Sequence, residues 1–480
     1  MGERQRLGVQ DALWLEMDKP GNLMVVDSLF WTATPIDWDR YRDVAKERLW
    51  DRYPVFRSVV ARGEDGAWYW EEQADADLEA RYEQVVLPEP GGDAELQDLI
   101  ASQRTVPLDR SEPLWRAVLV DGFHGGSAVL FRGHHAIADG IRMVQLALSV
   151  FDVSPDGTLV SAGAAPRQET SRSLPPGAAE VPTNGHASLV SQVRSQATTV
   201  ASTSLQLARS AVTNPVGAAH SAVTLSESLV DAMGSRARSA ADGWPRGRRA
   251  LPSFLSAVPG DVDTARKLVL GTRNDNTGWT GTVGAHKAIA WSPPLPLDEV
   301  KAVAHANAAT VNDVTWDVPV NLKPFDPTLP VVLGNSFALV QLELPTNIDD
   351  PLRTLAVVRR RMGRIKSGHE ALVDYGVQAA ISRMSKRLYR ATIDLLANRA
   401  VGVLTNVPGP QMALYVAGEK VEGMMGWAPL TADQVMSFTI YSYDGKVFVG
   451  IAADAALVPD HGQIVDGFAD AFRRLSVRVG

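Results

Sequence analysis

The stretch SAVLFRGHHAIADGIRMVQLALSVF, residues 127–151, carries two adjacent imidazoles, His134 and His135, just ahead of an Asp139-Gly140 pair. An imidazole with an ordinary pKa of about 6.5 can take a proton near neutral pH. The run 127–132 reads as a strand that ends at Gly133, and Ile141, Val144, Leu148 and Phe151 mark a helix opening at Asp139-Gly140. At a strand end successive side chains point in opposite directions. Only one of the two histidines can therefore face a given cleft, while the other points into the body of its domain. Each residue also has a structural reading: Asp139 as a helix N-cap, Gly140 as a helix-start residue, His134 as a buried hydrogen-bonded histidine. A metal site of His134, His135 and Asp139 is possible in principle. Adjacent histidines on one strand rarely chelate one ion, and no H-E-x-x-H or cysteine partner exists, so no metal is expected.

The elements around this motif fall into three stretches. Residues 1–155 are mixed α and β. Tyr41, Val44, Leu49 and Tyr53 predict a helix that Pro54 stops, and SVVAR, AWYWEE, WRAVLVDGF and SAVLFRG read as short strands. Residues 156–250 open as a flexible linker and continue as two apolar stripes at helical spacing, divided at Asn214-Pro215. From 187 to 250 seven arginines stand against three acidic residues, a local excess of +4. Two helices that bridge the flanking domains account for this, and so does a lipid-surface docking element. Residues 251–480 return to mixed α and β. VVLGNSFALVQLELP, VMSFTIYSY and KVFVGIAAD read as strands, and DPLRTLAVVRRRMGRIKSG and HGQIVDGFADAFRRL as amphipathic helices. Two α/β halves joined by a helical bridge predict a ligand cleft between the halves.

Composition excludes several function classes. A chain of 480 residues is too long for one ordinary core. Its net charge of −8 argues against a nucleic-acid partner. The absence of cysteine removes disulfides, thiolate nucleophiles and cysteine-held zinc. There is no G-x-S-x-G elbow and no P-loop, and GWTGTVG at 278–284 is not the dinucleotide fingerprint. The N-terminus has no apolar signal core, and no run of about 18 apolar residues could span a bilayer, so any membrane contact is expected to be peripheral.

At HHAIADG (134–140) the sequence resembles the HHxxxDG motif of the CoA-dependent acyltransferase superfamily, which includes chloramphenicol acetyltransferase and nonribosomal condensation domains. Further matches point to one family within it. LGVQDALWLEMDKPGNLM (7–24) looks like that family's opening segment, and Pro113, Leu114 and Trp115 form its PLW motif. Asn312-Asp313 forms its ND motif. VPVNLK (318–323), LGNSFALVQLELP (333–345), LTNVPGPQMALYVAGEKV (404–421) and SYDGKVFVGIAADAALVPD (442–460) also fit. Together these resemble bacterial wax ester synthase/diacylglycerol acyltransferase over nearly the whole chain apart from 156–250.

The resemblance implies an α/β fold of two chloramphenicol-acetyltransferase-like domains, 1–155 and 251–480, joined by the 156–250 bridge, with a substrate tunnel between them. It implies a cytoplasmic enzyme, peripherally associated with membrane or lipid droplets. The enzyme would move a long-chain acyl group from acyl-CoA, its co-substrate, to a fatty alcohol or diacylglycerol, with no cofactor and no acyl-enzyme. His135 would be the general base, and Asp139 would hold local structure and imidazole geometry. His134 would be the structural neighbour, and Asn312 a donor or a loop-positioning residue near the site. Leu114 and Trp115 read as core. The family also carries an amphipathic helix between ND and VPVN, where this chain has only Val314, Thr315, Trp316 and Asp317. That short link supports a second reading: a homologue that binds acyl lipids or lipid droplets with little or no turnover. The same chemistry on another acceptor, such as an amine or a polyketide alcohol, is a third.

Overall fold

The structure is a computed structural model that describes residues 4–157, 279, 281–306, 318–321, 333, 335, 337–340, 342, 344, 348, 350–367 and 400–477. Packing divides the chain into two compact units. One comprises residues 1–168, 274–364 and 393–480 and contains nearly everything described below; the other, 169–273 and 365–392, lies almost wholly outside the described residues. The bridge expected at 156–250 falls, beyond Gly157, outside them too.

Four sheets form among the described residues. The six-stranded sheet has the order β13 (Tyr415–Val416), β14 (Glu419–Trp427), β2 (Val25–Thr32), β7 (Gly126–His134), β6 (Trp115–Phe123), β5 (Tyr82–Val86). Only β5 and β6 run parallel within it. The five-stranded sheet has the order β12 (Gly402–Pro408), β15 (Met436–Tyr443), β16 (Lys446–Asp454), β8 (Lys287–Trp291), with β9 (Leu295–Pro296) paired to β16. A three-stranded sheet joins β1 (Arg4–Arg6), β4 (Trp68–Glu72) and β3 (Ser58–Arg62). An antiparallel pair joins β10 (Val318–Asn321) and β11 (Phe337–Val340). The helices are α1 (Val9–Met17), α2 (Trp38–Ala45), α3 (Asp93–Gln103), α4 (Gly140–Ser149), α5 (Leu297–Ala306), α6 (Pro351–Ser367) and α7 (His461–Val477).

β6 shows why the centre of the larger sheet is buried. Residues Ala117, Val118, Leu119 and Val120 run apolar without alternation, and all four are buried. A strand covered on both faces has no solvent side to make polar. Val118, Leu119 and Val120 each stabilise by about 1.5–3 kcal/mol when fully buried. β14 comes from the C-terminal part of the chain yet pairs with β2, setting Trp427 opposite Asp27. The core therefore runs on from Leu29 and Leu130 to Met424, Met425 and Trp427.

Two local expectations change. The helix read through Tyr53 is α only to Ala45; a π turn covers Lys46–Trp50, and a 3₁₀ turn follows at Pro54–Arg57. The wider π turn advances the chain less per residue. It helps bring Trp50 into the core together with Tyr41 and Tyr53. β7 also runs one residue past Gly133, because His134 pairs with Val25 across the ladder.

Candidate active site

β7 and α4 deliver the motif. His134 closes the strand, His135 to Ala138 form the turn, and Asp139 caps α4, its Oδ1 accepting the Arg142 backbone N–H at 3.0 Å. A carboxylate at this position satisfies one of the orphan N–H donors of the first helical turn.

The two imidazoles part at this turn. The His134 backbone N–H donates to the Leu114 carbonyl at 2.9 Å, and its ring Nδ1 accepts from the Ala136 N–H at 3.0 Å. With Nδ1 an acceptor, the neutral ring carries its proton on Nε2, which lies 3.6 Å from Asp18 Oδ2. Burial alone would raise the Asp18 pKa, but the neighbouring His134 ring, the Met24 N–H and Arg110 together hold it below the usual carboxylate range. The His135 backbone N–H donates to the Met24 carbonyl at 2.8 Å. Its ring faces Trp14 on α1, with centroids 4.3 Å apart and planes inclined by 30°. Burial lowers the His135 pKa to about 4. The ring is therefore neutral at pH 7 and able to accept a proton.

His135 and Asp139 line a cavity of about 320 Å³. Its N-terminal wall is apolar, with Phe30, Leu49, Phe56, Val144, Leu148 and Phe151. Its opposite wall comes from β12, β14 and β15 and includes Val403, Met424 and Trp427, with Thr405, Asn406 and Tyr441 as polar groups. A largely apolar cavity with a few convergent polar groups suits a small-molecule substrate carrying a long hydrocarbon part. His134 does not line it. Leu114 and Trp115 do not either: both are buried core residues, and Trp115 Nε1 donates to the Phe56 carbonyl at 2.7 Å. Asn312 and Asp313, and the short link that follows them, lie outside the described residues.

Three residues near His135 carry no individual signal in the sequence. Asn335 donates its Nδ2 to the His135 carbonyl at 2.9 Å and to Asp11 Oδ1 at 2.7 Å, and its backbone N–H also donates to Asp11 Oδ1, at 2.9 Å. Desolvation raises the Asp11 pKa against the lowering effect of these bonds. Trp14 sits three residues beyond Asp11 on α1, so both present the same helix face. The i,i+3 pair inside LGVQDALW was the available hint. Nothing in one sequence links it to Asn335, 324 positions away.

The chain is similar to known proteins. The family model for the wax ester synthase/diacylglycerol acyltransferase catalytic domain matches residues 7–245, and that for the WS/DGAT C-terminal domain matches 333–476. The chain belongs to the wax ester synthase/diacylglycerol acyltransferase family. By that membership it is an acyltransferase. A probable diacylglycerol O-acyltransferase of Mycobacterium tuberculosis is 25% identical over 85% of this chain and 81% of its own. The O-acyltransferase WSD of Acinetobacter baylyi is 24% identical over 94% and 92%. Among solved structures, the wax ester synthase/diacylglycerol acyltransferase of Marinobacter aquaeolei VT8 superposes with a TM-score of 0.60 at 18% identity, covering 99% of this chain and 100% of that one. The first condensation domain of the CDA synthetase gives 0.51 at 13% identity, over 99% and 96%. The α/β, chloramphenicol-acetyltransferase-like fold expected of the sequence is the one these likenesses show. No helix among the described residues of this acyltransferase is long and apolar enough to cross a membrane.

Proposed function

We propose that the protein transfers a long-chain acyl group from acyl-CoA to a fatty alcohol or diacylglycerol, giving wax ester or triacylglycerol, with His135 as the general base. The observation that supports it is a buried imidazole on the wall of an apolar cavity, its pKa pushed down to about 4 by that burial. The alcohol hydroxyl gives its proton to His135 as its oxygen bonds to the thioester carbonyl carbon. The tetrahedral intermediate collapses with loss of the C–S bond, and the imidazolium returns the proton to the departing thiolate, releasing CoA. No cofactor and no acyl-enzyme take part. Holding both substrates against one ring contributes much of the rate, because a bimolecular encounter becomes effectively unimolecular. Asp139 keeps the turn and the ring geometry, His134 supports the strand end, and Asn312 serves as an oxyanion donor or loop anchor.

The direct test is CoA release by purified protein given palmitoyl-CoA with hexadecanol and, separately, with dioleoylglycerol. Acceptor-dependent release supports the reading. Saturable palmitoyl-CoA binding without release with either acceptor overturns it, and favours the second reading suggested by the four residues between Asp313 and Val318. We also propose peripheral association of a cytoplasmic protein with a membrane or lipid-droplet surface, supported by the apolar substrates and the +4 excess at 187–250. Replacing Arg246, Arg248 and Arg249 with Gln should weaken flotation with anionic liposomes, at about 1 kcal/mol per basic residue. Flotation indifferent to both the substitutions and salt would refute that role.

A further inference from the structure

A second, much smaller cavity, which shares no lining residue with the one beside His135, has a volume of about 20 Å³. Three cations line it: Arg104 from the end of α3, Arg132 from β7 and Lys287 from β8. Asn22 and Asp27 complete its polar wall. Asp27 receives both guanidinium groups, Arg132 Nε at 3.1 Å on Oδ1 and Arg104 on Oδ2. Arg132 also donates to the Val106 carbonyl at 3.0 Å. Lys287 Nζ donates to Asn22 Oδ1 at 3.2 Å and lies 3.4 Å from Asp454 Oδ2. That oxygen already accepts the Gly284 N–H at 2.6 Å, while Oδ1 accepts from Ala456 and Leu457. All five charged side chains are nine-tenths or more buried.

Their charges do not cancel. Among the described residues three cations face two carboxylates, which leaves one positive charge in a desolvated place. The neighbouring Lys19 adds nothing, since Asp433 pairs with it at 3.1 Å. A buried charge without a counter-charge is costly, and either an anion or loss of a proton relieves it. Burial already holds Arg104 and Lys287 below their usual ranges, and Arg104 adds to the push on Lys287. The cavity exceeds the roughly 10–15 Å³ that one water needs, so it has room for an ion of about that size and not for a nucleotide or an acyl group.

We propose that this cavity binds one small monovalent inorganic anion, chloride being the fitting species, held between Arg104, Arg132 and Lys287. The anion completes a junction between the two large sheets: β2 and β7 supply Asp27 and Arg132, and β8 and β16 supply Lys287 and Asp454. Arg132 lies two residues before His134 on β7, so the anion braces the strand end that presents the histidine pair. It touches no group assigned to acyl transfer, and its effect is on stability.

The test uses the full chain in gluconate buffer, with chloride or bromide exchanged in at constant ionic strength. The thermal midpoint should rise by several degrees and saturate, as expected for a ligand that binds only the folded state. Lys287→Met leaves two cations against two carboxylates, so its midpoint should no longer respond to halide. Should that variant not fold, a bromide-soaked crystal of the unaltered protein should show an anomalous peak among Arg104, Arg132 and Lys287. Equal midpoints in gluconate, chloride and sulfate, or no bromide peak at that place, would overturn the proposal and leave the cavity to water.

Discussion

On one side of the β7 end, the His134 ring takes the Ala136 N–H at Nδ1 and turns Nε2 toward Asp18. On the other, the His135 ring lies against Trp14 and the wall of an apolar cavity. The two residues have the same chemistry and adjacent positions, and both are buried. What separates them is the company each keeps. His134 is surrounded by polar groups and a carboxylate that fix its orientation. His135 has its carbonyl held by Asn335 and its N–H bonded to Met24, so the backbone is fixed while the ring borders the cavity. Strand alternation thus divides one His-His pair into a member turned toward Asp18 and a member that borders the cavity, the one we propose as the base.

Several changes would break or sharpen this contrast. The largest effect short of removing the base should come from filling the cavity beside His135 while leaving His134 untouched. Ala147 lines the cavity from α4. Ala147→Phe should lower kcat/KM for palmitoyl-CoA relative to butyryl-CoA by roughly 10–200-fold, the range that small changes in an apolar pocket produce. Equal losses for both chain lengths would mean that the acyl chain does not lie there.

A second effect follows from the low pKa of His135. Its folded value of about 4 lies below the ordinary 6.5, so the unfolded chain binds the proton more readily between those values. Stability from keeping this ring neutral is present above pH 6.5 and is lost as pH falls toward 4. Its size is on the order of 3 kcal/mol. Urea unfolding at pH 7.5 and 4.5 should show that loss in the native sequence and a smaller one in His135→Phe. The acid limb of kcat/KM should likewise fall below the normal histidine range. A limb centred on 6.5 would place the ring in a wetter site than the structure gives it.

The third effect belongs to His134. His134→Ala leaves the Ala136 N–H and the Asp18 carboxylate without this partner, which costs about 1–3 kcal/mol. The thermal midpoint should drop, and the remaining folded protein should still transfer acyl groups. A variant of unchanged stability that had lost its activity would reverse the roles of the two histidines.

Much of this site was readable in the sequence because its parts are local. HHAIADG sits within one strand–turn–helix unit, so alternation, the Asp139 cap and the apolar spacing of 141–151 all follow from short-range rules. What escaped was non-local. The clamp from Asp11 through Asn335 to the His135 carbonyl joins three distant segments. The pairing of β14 with β2 brings a strand near residue 420 against one near residue 30. The π turn at Lys46–Trp50 was missed because a widened turn leaves almost the same apolar spacing as a continuous helix. The charge imbalance around Lys287 needed five elements assembled before it could be counted.

The central claim, that His135 takes the proton of the attacking alcohol, is tested most directly by the rate of CoA release from palmitoyl-CoA and hexadecanol in His135→Ala. Saturating acyl-CoA and a melting curve confirming the fold keep binding and stability out of the comparison. The rate should fall by about 10²–10⁴-fold, the usual worth of general-base assistance. A folded His135→Ala protein that keeps most of the native rate would contradict it.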